Sequence, residues 1–173
     1  MNQLTIKSYI DTLSTMIKNP GAFFENLPKN ISLKPPFYFL CISCFFSAIV
    51  FIFSTSVADY IAITGSIYFI NAVGMTLIAA FFAFTAILVI TPDNADYKKC
   101  FSIFAYSAGT TIIGAGIPFF LWFAEVWKWW LIGKGLKTNI KLTNIQTLIV
   151  IAVSIGSVLF LFSLFTRLSA AGN

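Results

Sequence analysis

The stretch CFSIFAYSAGTTIIGAGIPFFLWFAEVWKWWLIGKGL, from Cys100 to Leu136, decides the architecture. It is 37 residues long. One helical crossing of a bilayer takes about 20 apolar residues, so the stretch is too long for one crossing and barely enough for two. Gly114-Ala115-Gly116-Ile117-Pro118, near its middle, carries turn chemistry that would close a tight helical hairpin. Glu125 and Lys128 then fall inside the second arm. Trp127, Trp129 and Trp130, beside Lys128, read as an interfacial aromatic belt instead.

Outside this stretch, runs without Asp, Glu, Lys or Arg mark the other spans. Pro35 to Ala58 is 24 residues, Tyr60 to Pro92 is 33 and Leu142 to Thr166 is 25. As a helix the second run is roughly 50 Å long, more than a hydrocarbon core of about 30 Å. Its crossing is expected over 67–90, with Thr64-Gly65-Ser66 in a loop or a short interfacial turn. Composition agrees. Of 173 residues, 58% are hydrophobic, 10% are charged and 20 are Phe, and the mean hydropathy is +0.89. A soluble domain runs near ~45–50% apolar and ~25% charged. An ordinary soluble enzyme, a disordered chain and a secreted disulfide scaffold are all excluded.

Charge arithmetic chooses between one span and two in 100–136. With two, the protein has five crossings. The N-terminal segment, the 91–99 loop, the 134–141 loop and Lys128 then share one side. That side holds 10 basic residues against Arg167 alone; with one span the split is 7 against 4. Cytoplasmic loops carry the excess of Lys and Arg, so five crossings are expected, with the N-terminus cytoplasmic and the C-terminus outside. The predicted fold is an all-α polytopic membrane helix bundle. A cytoplasmic amphipathic segment covers 1–34. A membrane domain covers 35–167, with spans at about 36–55, 67–90, 100–114, 118–134 and 145–166. A short external tail covers 168–173.

The first 35 residues hold no continuous apolar core of the kind a cleavable signal needs. Ile6, Tyr9, Ile10, Leu13, Met16 and Ile17 recur at helical spacing, and Lys7, Asp11, Ser14 and Lys18 are among the residues filling the other face. Asn19-Pro20-Gly21 stops this helix, and Phe23, Phe24 and Leu27 follow before Pro28. Two placements stay open: along the lipid headgroups with the apolar face down, or packed on the bundle as a lid. The first makes Ile6, Ile10, Leu13, Ile17, Phe23 and Phe24 membrane-surface residues, together with Trp127, Trp129 and Trp130.

Little in the chain is suited to catalysis. There is no His, the commonest general base and metal ligand. Cys41 and Cys44 form a C-x-x-C inside an apolar run, where free cysteines act as small packing residues. Asp93 and Asp96 are too few for a metal site, and Thr91-Pro92-Asp93-Asn94 reads as a turn. No cofactor, metal or nucleic acid is expected. The net charge of +5 is spread between apolar blocks rather than gathered on a basic face. Ionisable residues within membrane segments mark functional sites. Glu125 and Lys128, three apart, can pair on one helix face; they are either a headgroup or ion site or a structural pair at the membrane edge. Asn71 shares a face with Gly74 and reads first as an interhelical hydrogen-bonding group.

Lys18-Asn-Pro-Gly-Ala-Phe-Phe-Glu-Asn-Leu-Pro28, just ahead of the first span, resembles the opening signature of the Yip-domain family of Ypt/Rab-interacting, five-span membrane proteins. Phe101-Ser-Ile-Phe-Ala-Tyr-Ser-Ala-Gly109 and Trp129-Trp-Leu-Ile-Gly-Lys-Gly-Leu136 are similar as well, and the resemblance runs from about Lys18 to Arg167. It implies a short, prokaryotic-type member in a cytoplasmic membrane. The implied function is a non-enzymatic scaffold that organises partners or bilayer shape, as a homo-oligomer or with a membrane-protein partner. The rival is a small oligomeric transporter, channel or lipid-handling protein, supported by Glu125, Lys128 and the polar face of the second span.

Overall fold

A computed structural model describes residues 6–28, 30–54, 61–114 and 120–171. Lys29 and positions 115–118 of the expected turn lie outside them. Seven α-helices form among the described residues: α1 (Ile6–Lys18), α2 (Pro20–Glu25), α3 (Lys34–Ser54), α4 (Ile61–Ile90), α5 (Tyr97–Ile112), α6 (Leu121–Gly135) and α7 (Asn144–Ala171). A 3₁₀ turn at Pro92–Asn94 joins α4 to α5, and α6 runs on into a π-helical turn, Leu136–Ile140. No strand occurs among the described residues.

Side-chain chemistry fixes the helix ends. Asn19 both follows α1 and caps α2, its Oδ1 accepting from Ala22 N at 3.2 Å with Pro20 at the first position. Asp96 accepts from Lys98 N at 2.8 Å and starts α5. Before α7, Thr143 and Gln146 cap one another: Thr143 N donates to Gln146 Oε1 at 2.9 Å and Gln146 N to Thr143 Oγ1 at 3.3 Å. This reciprocal pair satisfies two otherwise orphaned donors. Lys141, at φ +64°, supplies the left-handed residue that ends the π turn.

Successive helices α3 to α7 alternate in direction. Ser47 Oγ and Tyr68 Oη are 3.0 Å apart, and Phe51 stacks on Tyr68 at 4.6 Å. Cys100 Sγ donates to Ala80 O at 3.4 Å, while Phe84 meets Tyr97 edge-on at 5.5 Å. Ser154 Oγ donates to Ala79 O at 2.9 Å, tying α7 to α4. At the centre lies α5, in which every residue from Cys100 to Thr111 is buried.

The sequence places Thr64-Gly65-Ser66 in a loop, but they lie in the first turns of α4. A Cβ on Gly65 would meet Ile52 Cδ1 at 2.6 Å, so glycine here serves the close approach of α3 and α4. Continuing the helix also keeps the backbone groups bonded internally, as lipid requires. Among the described residues three helices, α3, α4 and α7, are long and apolar enough to cross a membrane. At 16 and 15 residues, α5 and α6 are shorter.

Candidate membrane cleft and N-terminal platform

The N-terminal segment, the 92–94 turn and the π turn gather at one end of the bundle. Phe24 is fully buried there, and a Cβ on Gly135 would stand 3.2 Å from its ring and 2.6 Å from Ile103. Asn139 Nδ2 donates to Phe24 O at 2.9 Å. Phe23 meets Tyr106 edge-on at 5.0 Å and is half-buried. These two residues, expected on the membrane surface, therefore pack on α5 and α6. Their short helix is capped by Asn19, and the Phe24 ring lies in the gap that Gly135 leaves.

Helix α1 divides its apolar arc. Met16 is fully buried, Leu13 and Tyr9 are half-buried against the core, and Tyr9 Oη lies 2.8 Å from Ser43 Oγ. Burial pushes the Tyr9 phenol above its ordinary value, a shift partly offset by the Ser43 bond. Ile6, Ile10 and Ile17 sit on the other half of the arc and stay exposed. At 100° per residue, Lys7 and Lys18 flank this exposed strip on its polar side.

The second feature is a cleft of about 400 Å³, lined by α4, α5, α6 and α7. It brings Asn71, Glu125 and Lys128 together. Lys128 Nζ stands 2.7 Å and 2.6 Å from the two carboxylate oxygens of Glu125, and 5.4 Å from the centre of the Trp129 ring. The Lys128 side chain is 22% exposed and that of Glu125 51%. Six and nine residues separate them from Lys134, about 9 and 14 Å along the helix. The pair therefore stands in the middle part of α6, with apolar residues on both sides.

The cleft has a floor and an opening. Ala72, Thr76 and Ala79 of α4 and Phe104, Ala108 and Thr111 of α5 form the floor. Thr76 and Thr111 hydroxyls donate back to their own helices, which leaves their oxygens able to accept. Helices α6 and α7 meet where Gly133 lies against Ile151 and Thr147. Farther along, Glu125 and Lys128 on one side and Ile155, Val158 and Leu159 on the other are separated by the cleft. Asn71 is exposed on the wall of α4.

The tryptophans divide. Trp127 and Trp129 are half-buried on the core, Trp129 edge-on to Phe104 at 6.3 Å, whereas Trp130 is exposed with Lys134 Nζ 6.0 Å above its ring. Sequence reasoning passed over Trp122, the most exposed at 81%, and the floor residues Thr76, Ala108 and Thr111. Only laying α4, α5 and α6 side by side brings the floor residues together. All three cysteines are free, and no cluster of three metal-ligating side chains occurs among the described residues.

No curated protein and no solved structure matches the chain. The family model described as the Yip1 domain matches residues 14–166, from the middle of α1 to the end part of α7. That family is not known for enzymatic activity. With nearly the whole helical bundle matched and three helices of membrane-crossing length, this chain is an integral membrane protein belonging to the Yip1 domain family.

Proposed function

We propose that the protein is a non-enzymatic membrane scaffold that organises partners from the platform built by α1, α2, the 92–94 turn and the π turn. In this reading the chain crosses a prokaryotic cytoplasmic membrane five times, α5 and α6 forming the short central hairpin, with the platform on the cytoplasmic side. The observation that carries it is the divided apolar arc of α1: Met16, Leu13 and Tyr9 anchor the helix on the bundle, and Ile6, Ile10 and Ile17 remain exposed. Such a strip, flanked by lysines, sits at the headgroup boundary and offers an apolar edge to a second copy or to another membrane protein. A photo-crosslinker replacing Ile10 in intact membranes tests it. The scaffold reading expects a protein adduct, either a doubled mass or one defined partner; labelling of lipid alone contradicts it.

A second reading, a small oligomeric transporter, channel or lipid-handling protein, is favoured by one observation. The cleft joins an ion pair and an exposed amide inside apolar helices, where polar groups commonly line substrate paths.

A further inference from the structure

The cleft has four properties that together specify a ligand. It opens between α6 and α7 on the outer surface of the bundle, since the two helices meet at Gly133 and part beyond it. Its wall includes Leu159, which is more than half exposed, so the opening faces the same medium as the outward apolar residues of α7. Its volume of about 400 Å³ is within the ~300–1,000 Å³ of small-molecule sites. Its charges, one ammonium and one carboxylate, sum to zero.

A neutral site of this kind favours a neutral dipolar partner. An anionic headgroup would gain Lys128 but face Glu125, and in low dielectric that repulsion is weakly screened. A zwitterion replaces one internal pair by two external ones, phosphate on Lys128 and a cation on Glu125. Beside the Glu125 carboxylate the cleft also holds the Asn71 amide and the hydroxyls of Thr76 and Thr111, whose oxygens can accept hydrogen bonds. A primary ammonium offers three N–H donors to such a set, and a quaternary ammonium offers none.

We propose that the cleft between α6 and α7 binds the headgroup of a zwitterionic phospholipid bearing a primary ammonium, its phosphate on Lys128 and its ammonium on Glu125. The acyl chains leave between α6 and α7, along Ile155, Val158 and Leu159. This deepens the second reading and does not depend on the scaffold.

Native mass spectrometry of the full chain, given equal amounts of phosphatidylethanolamine, phosphatidylcholine and phosphatidylglycerol with matched chains, tests it. Phosphatidylethanolamine should be retained at least tenfold over the other two. Glu125→Gln and Lys128→Met should each abolish that preference. So should Ala72→Phe, which fills the floor and keeps both charges. Thermal unfolding of each variant checks its fold, and if Lys128→Met does not fold, the other two carry the test. Wild type without preference, or folded variants that keep it, overturns the site. Full displacement of the lipid by soluble phosphoethanolamine overturns the assignment to a lipid. Lipid translocation in liposomes separates the two levels. Preference without translocation keeps the site and removes the handling reading; translocation without preference keeps the handling reading and removes the site.

Discussion

Helices α5 and α6 are neighbours of nearly equal length, yet they occupy opposite environments. In α5 every residue from Cys100 to Thr111 is buried, including Ser102, Ser107, Thr110 and Thr111. In α6 Trp122, Phe123, Val126 and Trp130 are exposed. Large apolar side chains thus face outward on α6, while α5 buries small and hydroxyl-bearing residues beside Phe101, Ile103 and Phe104, a mixture unlike a soluble core. Lipid is as apolar as leucine, so burying a large side chain in protein gains little there. Small residues allow close helix approach and gain dispersion and hydrogen bonds instead. Helix α4 repeats the rule: Ala79, Ala80, Ala83 and Ala86 are buried, while Phe81, Leu88 and Val89 are exposed.

The largest expected effect breaks the small-residue side of this contrast. A Cβ on Gly109 would meet the Phe39 ring at 2.8 Å and Ser43 Oγ at 3.2 Å. Gly109→Val should cost about 1–3 kcal/mol or more, the usual penalty of overpacking. Around Gly74 and Gly156 nothing lies within 4 Å of an added Cβ. Alanine at either should be neutral or raise stability by up to about 1 kcal/mol through helix propensity. Thermal unfolding in nanodiscs ranks the three, and a Gly109→Val variant as stable as Gly156→Ala would dissolve the contrast.

Next in size is the ion pair of α6. Removing one partner of a pair in low dielectric leaves a bare charge, whose desolvation can exceed the loss of the pair itself. Lys128→Met should therefore destabilise more than the double change Glu125→Gln with Lys128→Met. If water screens the pair, both variants should instead shift stability by less than about 1 kcal/mol. The same thermal-shift series separates the outcomes.

On the platform, Ile6→Asp with Ile10→Asp places charge on the exposed half of the α1 arc and leaves Met16 and Leu13 in place. The double variant should free the N-terminal segment from the membrane surface, raising its protease cleavage severalfold, without lowering the melting temperature of the bundle. An unchanged cleavage rate would mean that the exposed strip has no membrane contact.

The smallest effect belongs to Tyr9. Tyr9→Phe removes the bond to Ser43, which keeps its own bond to Phe39 O at 2.9 Å, so the loss should be near the low end of about 0.5–1.5 kcal/mol. The raised Tyr9 value favours the neutral phenol in the folded protein. Its contribution is therefore complete below the ordinary value of 10.0 and is lost as pH rises through the higher folded value. Tyr9→Phe should flatten that alkaline decline of α1 docking, followed by the protection of Met16 from oxidation.

How much was legible in the sequence follows from the same physics. Helical periodicity gave α1, because Ile6 to Ile17 recur every three or four residues. Charge-free runs marked α3, α4 and α7, because an unpaired charge is costly in hydrocarbon. The pairing of Glu125 with Lys128 followed from their spacing. The placement of Phe24 stayed open because an aromatic next to an interfacial helix looks the same whether it faces lipid or the notch at Gly135, more than a hundred positions away. The cleft was legible only in part. Asn71 and Glu125 drew attention as polar residues, but Thr76, Ala108 and Thr111 are ordinary small residues until α4, α5 and α6 are laid side by side. The start of α4 was missed because Gly65 signals a turn locally and a helix contact only when Ile52 is known to lie against it.

The central claim is the threading: five crossings, with the platform and the turns after α4 and α6 on the cytoplasmic side. Paired reporter fusions test it most directly, one active only in the cytoplasm and one active only outside, each joined at the N-terminus and after Asn173. The account predicts cytoplasmic activity at the N-terminus and external activity at the C-terminus. A C-terminal fusion active in the cytoplasm would contradict it, because an even number of crossings would then place Lys128, Lys134, Lys137 and Lys141 opposite the platform.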